Sequence, residues 1–180
     1  MNASAERSVW ASGRAYEPYV GRWSRLVARE FVDWLAVPPS ARWLDLGCGT
    51  VAGYVWDYAG KMELMRYFWD AAVALKPADL ERDEGRRFPI CQPGPLQHLF
   101  ERAGLRKVQV RSIDVPTHFR DFDDYWTPFL GGQFPAPDYA MSLDEAARAA
   151  LRERIRAHLP IVADGSIPLI ARAWAVRGTR

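Results

Sequence analysis

The densest chemistry in this 180-residue chain lies in one octapeptide, Trp43-Leu44-Asp45-Leu46-Gly47-Cys48-Gly49-Thr50. Residues 42–46 read as a short buried strand, and the G-x-G turn closes it. Glycine lacks a Cβ, so such a turn bends tightly and lets the backbone approach a ligand. The same turn also serves as a plain strand exit. Cys48 acts as a nucleophile only beside an activating base, and the sequence identifies none.

A second group follows at once. The apolar run 51–56 is rich in β-branched and aromatic residues and predicts a strand, with Trp56, Asp57 and Tyr58 at its C-terminal end. Ligands of open α/β sheets bind beyond that edge. Asp57 is placed to accept a proton from a substrate nucleophile, or else to cap a turn, where Asp is common. Further on, Tyr125, Trp126 and Phe129 are spaced i, i+1, i+4. That spacing suits the wall of a substrate pocket and simple burial equally well. His98, His118 and His158 are scattered, without a partner at metal-ligand spacing. Neither a G-x-S-x-G elbow nor a P-loop sequence is present.

Several elements must position these residues. Apolar positions 23, 26, 27, 31, 34 and 35 recur at helical spacing over 22–36, and Pro38-Pro39 ends that helix. Residues 1–20 read as a flexible lead. A helix is expected over 61–75, with charged, irregular chain over 76–93 and a second helix over 95–103 that Gly104 stops. The alternation of Val108, Val110 and Ser112 against charged neighbours predicts a half-exposed strand over 107–115. Residues 121–130 form an aromatic helical turn, and the Pro135 and Pro137 pair a loop. Ser142 with Glu145 reads as a capping box for a helix to Leu159, and 167–176 as a last strand.

Composition narrows the classes. Hydrophobic residues make up 49%, enough for a packed core in one domain spanning 1–180. The eight Trp, seven Tyr and eight Phe can fill that core or line a pocket for a flat, apolar ligand. The net charge of +2 is interspersed, so no nucleic-acid footprint emerges. Arg86-Arg87 and the arginines at 152, 154 and 156 read as solvated faces. No apolar run reaches the ~20 residues of a membrane span, and residues 1–7 lack the apolar core of a signal peptide. With only Cys48 and Cys91, the chain is expected in the cytoplasm, unbridged and off the membrane.

The string LDLGCGT resembles the first motif of class I S-adenosylmethionine-dependent methyltransferases, an acidic residue two before the first glycine of a G-x-G-x-G turn. In that family the turn cradles the amino-acid part of S-adenosylmethionine. The resemblance implies that Asp45, Gly47, Cys48 and Gly49 line the cofactor site. The lead YEPYVGRWSRLVAREFVDWL is similar to the helix that precedes the first strand in small-molecule methyltransferases, where aromatic and basic residues fold over the cofactor. This adds Tyr19 and Arg22, either as cofactor contacts or as lead-in packing and a solvated charge. From Val51 onward the chain resembles the family's second half: fifth strand, helix, then the last two strands. Residues 116–165 between those last strands resemble a cap over the substrate. Trp56, Tyr125, Trp126 and Phe129 are then substrate residues, and Asp57 the catalytic base.

The chain departs from the pattern immediately after the turn. Val51 stands at the third glycine, and strand-like residues follow where a helix belongs. No acidic residue closes a second strand ~20 residues on to hold the ribose; Asp70 falls there on a helix. The chain reads as if it passed from the first strand directly to the fifth. Three strand-helix units, roughly 70 to 90 residues, are then missing. Parallel strands need a crossover of about a dozen residues, which this junction lacks. The expected fold is therefore a truncated Rossmann-like α/β domain: a reduced sheet, flanking helices and a helical cap insertion. The expected function is methyl transfer from S-adenosylmethionine to a small molecule, with a catalytically inactive remnant or binding module as the alternative. A nicotinamide-dependent oxidoreductase is a third reading, since G-x-G-x-x-G needs glycine where Ala52 stands and relaxed versions accept alanine. The acceptor and the oligomeric state are not legible.

Overall fold

The computed structural model describes residues 17–37, 49–131 and 134–180. The strand expected over 42–46, with Asp45, Gly47 and Cys48, lies outside the described residues. The architecture is mixed α/β. A π-helical turn, Glu17–Gly21, leads into α1 (Arg22–Leu35). β1 (Thr50–Trp56) and α2 (Glu63–Leu75) follow. Next come a 3-10 turn (Pro77–Arg82), the one-turn α3 (Glu84–Arg87), a second 3-10 turn (Pro89–Cys91) and α4 (Pro93–Arg102). β2 (Arg106–Phe119) is joined to β3 (Ile167–Thr179) through α5 (Phe122–Trp126), the turn Thr127–Leu130, α6 (Pro135–Ser142) and α7 (Glu145–His158).

Among the described residues the sheet has three strands in the order β1-β3-β2, with β3 antiparallel to both neighbours. Opposite Ala173 stand Trp56 on one side and Ile113 on the other. Ala171, Ala173 and Ala175 alternate along β3 and are fully buried. Their small side chains leave room for the helical layer, and α1 and α2 pack on this sheet. β2 changes phase midway. Val108, Val110 and Ser112 are half-buried on one face, whereas Ile113, Val115, Thr117 and Phe119 are buried on the other. α4 covers the first face, where Leu96 and Val176 are buried outside the main cluster. The strand therefore runs four residues past the expected 115.

The core is largely aromatic. Phe68 stacks on Phe129 at 4.5 Å, and Phe119 meets Tyr125 edge-on at 5.3 Å. Apart from their specific geometry, rings of this size bury more apolar area than any aliphatic side chain. The cap segment supplies many of them, so α5 to α7 complete the core of the domain.

Three local expectations are corrected. Residues 76–93 are not irregular: prolines 77 and 89 each open a 3-10 turn around α3. Pro135 and Pro137 do not make a loop but start α6, because proline suits the first turn, where no N–H is needed. Ser142 does not cap α7; its hydroxyl donates to Tyr139 O, and Asp144 accepts from Ala147 N at 2.7 Å. The carboxylate one residue before the helix outcompetes the more distant hydroxyl. No helix among the described residues is long and apolar enough to cross a membrane.

Candidate functional site

A pocket of about 1070 Å³ opens beside the outer edge of β1. Among the described residues that edge pairs with no other strand. Three consecutive residues, Tyr54, Val55 and Trp56, face the pocket, so it follows the strand's flank rather than one sheet face. Tyr19 and Val20 close it from the turn before α1, Phe134 and Tyr139 from the cap, and Phe88, Ile90 and Cys91 from the turns around α3. Trp69 reaches it from α2. The wall is mostly aromatic and aliphatic, with a few polar groups, as small-molecule sites usually are.

The polar group at its heart is Glu84, 4% exposed. The local sequence explains how a carboxylate comes to be there. Asp83 caps α3 by accepting from Gly85 N at 2.8 Å. The same carboxylate holds the Arg66 guanidinium through two bonds of 2.9 and 2.8 Å. Arg66 also donates to Tyr58 O at 2.7 Å, fixing α3 against the end of β1. Gly85 permits this approach: a Cβ there would lie 2.8 Å from Ala59 Cα and Tyr58 O and 2.7 Å from Arg66 Nη1. Between the two anchors, the Glu84 side chain turns inward. Its Oε2 accepts from Trp69 Nε1 at 2.9 Å, and Oε1 has no hydrogen-bond partner among the described residues.

Burial pushes the Glu84 carboxyl up to about 7, with Asp83 adding to the rise. The Trp69 bond, Arg87 and Arg66 pull the other way without cancelling it. The group thus sits where a proton is readily taken or given near neutrality. Burial likewise pushes the Cys91 thiol up to about 11, so Cys91 is an apolar wall rather than a nucleophile. Arg82 and Arg87 stand at the exposed rim: Arg82 lies over Tyr139 and pairs with Asp79, and Arg87 lies over Phe88.

The residues singled out from sequence separate into several places. Trp56 and Tyr19 do line the pocket. Tyr19 stacks on Phe134 at 5.1 Å, and its hydroxyl donates to Met65 Sδ. Arg22 lies instead in a smaller cleft of about 430 Å³ with Asp124, to which it pairs at 3.5 Å. Its guanidinium is held between the rings of Trp23 and Phe119.

Asp57 is buried but does not line the pocket. Its Oδ2 accepts from Lys61 N, its carbonyl accepts from Gly60 N and Met62 N, and its N–H donates to Arg172 O. It closes the turn after which Met62 rejoins β3 opposite Ala171. The turn-closing alternative is the one its contacts express. Tyr125, Trp126 and Phe129 likewise show the burial alternative. Tyr125 donates to Leu64 O, Trp126 and Phe129 pack on one another, and none of the three reaches the pocket. Tyr125 and Trp126 on α5 and Phe129 on the following 3-10 turn all face the core.

Gly49 takes φ of +105°, a backbone that favours glycine, and its carbonyl accepts from Arg180 N. It stands at the N-terminal end of β1, with Trp56 at the other end. A seven-residue strand separates the two by roughly 20 Å. Gly49, the one residue of the glycine turn among those described, and the pocket-lining Trp56 thus stand at opposite ends of β1. Among the described residues no group of three or more His, Cys, Asp or Glu is placed to hold a metal.

Glu84 was passed over in the sequence because its neighbourhood is charged and lacks periodicity. The signal that could have found it is the string Asp83-Glu84-Gly85 between two prolines: a capping acid and a close-approach glycine flanking a third polar residue. No family model matches this chain, and no curated protein matches its sequence.

Proposed function

We propose that this chain is a methyltransferase-like binding module that holds a small, largely apolar and aromatic molecule against Glu84. The observation that carries this reading is a buried carboxylate, Glu84, that lines an aromatic pocket with one oxygen bonded to Trp69 and the other without a hydrogen-bond partner among the described residues. Burial of the residue raises the cost of its charged form, and the open oxygen is accessible from the pocket. A ligand that brings a donor to that oxygen replaces the water it would otherwise bind. The rest of the wall provides area and shape, and the rim arginines admit an anionic substituent.

A second reading is methyl transfer from S-adenosylmethionine to the pocket's occupant. It is favoured by the LDLGCGT string and by the succession of β1, α2, β2 and β3, which follows the order expected for the family's second half. Such chemistry consists mainly of positioning a nucleophile, with one base at most. Glu84 would serve as that base. The separation of Gly49 from Trp56 weighs against it.

Two titrations of the folded protein test these readings. The first uses 1-anilinonaphthalene-8-sulfonate, a flat apolar probe, with wild type and Ile90→Trp, which fills the pocket from its rim. One saturable site lost in the variant supports the binding module; the absence of a saturable site overturns it. The second uses S-adenosylmethionine, with NADH as control. Micromolar binding of S-adenosylmethionine alone supports the transferase reading, and no binding removes it.

A further inference from the structure

Resting on the binding-module reading, we propose that the pocket's ligand is an organic amine, bound as its ammonium ion with the nitrogen on Glu84 Oε1 and its apolar body against the surrounding rings. Three observations converge on this chemistry.

Glu84 is a buried carboxylate that feels Arg87 and Arg66 at a distance but makes no direct ion pair among the described residues. Trp69 satisfies only Oε2, and no salt bridge reaches the side chain. Arg66 is close, but both of its charged contacts are already made, to Asp83 and Asp70. Arg87 projects to the exposed rim over Phe88. A carboxylate removed from bulk water and without a direct ion pair is better compensated by a cation than by a neutral donor.

The surroundings also suit a cation. Tyr19, Trp56, Tyr58, Trp69 and Tyr139 all line the pocket that Glu84 faces. Aromatic faces attract ammonium groups, and cages of Trp and Tyr recognise them. A hydroxyl would satisfy Oε1 but would gain nothing from the rings.

The site also has room for the rest of such a molecule. The pocket extends from Trp69 and Glu84, which are almost fully buried, out to Phe88 and Ile90 at the rim. The titratable and charged groups that act on Glu84 are Asp83 and Arg87 from its own turn, Arg66 from α2, Tyr19 from the lead turn and Cys91 from the next turn, and Tyr58, Arg82, Asp138 and Tyr139 line the same pocket. Burial pushes Tyr19 and Cys91 up, so both stay neutral through the physiological range. Arg66 is held charged by Asp83. Glu84 is the group in this set that changes charge near pH 7.

The test compares 1-naphthylmethylamine with 1-naphthalenemethanol, which share one ring system and differ in the donor. Both are titrated calorimetrically into wild type and Glu84→Gln at pH 8 and pH 5.5. Gln keeps an acceptor for Trp69 and removes the charge, and a cooperative melt establishes that the variant is folded. The expected result is at least tenfold tighter binding of the amine by wild type at pH 8. That preference should shrink at pH 5.5 and vanish in the variant at both pH values. Equal or tighter binding of the alcohol at pH 8 overturns the amine assignment while leaving the binding-module reading intact. An amine preference that persists in Glu84→Gln overturns the role of Glu84. If neither compound binds and no saturable probe site exists, the pocket reading falls and the amine assignment falls with it.

Discussion

Trp69 and Glu84 share a 2.9 Å hydrogen bond from the indole N–H to Oε2, and both side chains are almost fully buried. The bond joins α2 to α3 across the pocket and fixes which carboxylate oxygen remains open. It also favours the charged form of Glu84, yet burial outweighs it and leaves the carboxyl at about 7.

Glu84 should therefore make stability fall with pH. Its folded pKa lies above the unfolded value of 4.5, so the native state holds the extra proton between the two. Stability is highest below pH 4.5 as far as this group is concerned, declines through the window from 4.5 to about 7, and stays reduced above it. The rise corresponds to about 3 kcal/mol as an upper figure. Glu84→Gln, neutral at all pH, is expected to be more stable than wild type at pH 8, with the difference shrinking towards pH 5. Urea unfolding at the two pH values measures it; a variant less stable than wild type at pH 8 contradicts the assignment.

Breaking the Asp83 anchor should be far more damaging. Asp83→Ala removes the α3 cap and leaves the Arg66 guanidinium buried without its main partner. A loss of about 3–5 kcal/mol is expected for such a pair. Gly85→Ala attacks the same joint sterically, through contacts below 3 Å with backbone, and is expected to cost about 1–3 kcal/mol. Chemical denaturation measures both, and a neutral result for Asp83→Ala would show that α3 is held by other contacts.

Asp57 offers a clean separation of structure from chemistry. Asp57→Ala should destabilise by about 1–2 kcal/mol, since it strips Lys61 N of its acceptor in a closed turn. Affinity for the aromatic probe should be unchanged, because Asp57 does not line the pocket. Weaker probe binding in a variant that is fully folded would return Asp57 to the site.

The start of α7 distinguishes the two capping residues. Asp144→Ala is expected to cost about 1 kcal/mol, and Ser142→Ala only a few tenths. Thermal melts of the two variants decide between them; the reverse order would restore the capping box.

Much of the element list was legible in the sequence because it depends on near neighbours. The apolar spacing over 22–36 produced α1, the β-branched run 51–56 produced β1, and Gly104 ended α4 with φ of +79°. Where local signals compete, reading failed. Prolines 135 and 137 can open a helix or break a chain, and Ser142 and Asp144 both make capping side chains. Only the packing of Ala136, Tyr139 and Ala140 into the core decided those cases.

The site followed the same division. Trp56 was marked by its place at the end of the 51–56 run and Tyr19 by the family resemblance of the lead, and both line the pocket. Residue type alone could not say that Tyr125, Trp126 and Phe129 face the core, because the direction of a short helix and the turn after it is set by what they pack against. Nor could it raise Glu84 above the chain's other carboxylates. A carboxyl becomes chemically distinct only when its water is taken away, and the side chains that do so are as far away in sequence as Tyr19 and Tyr139. The sequence by itself determined which segments are helix and strand and which side chains carry aromatic or acidic groups, since those follow from local sterics and periodicity. The tertiary structure alone decided which acid is desolvated and which rings surround it, since burial and dielectric belong to long-range packing.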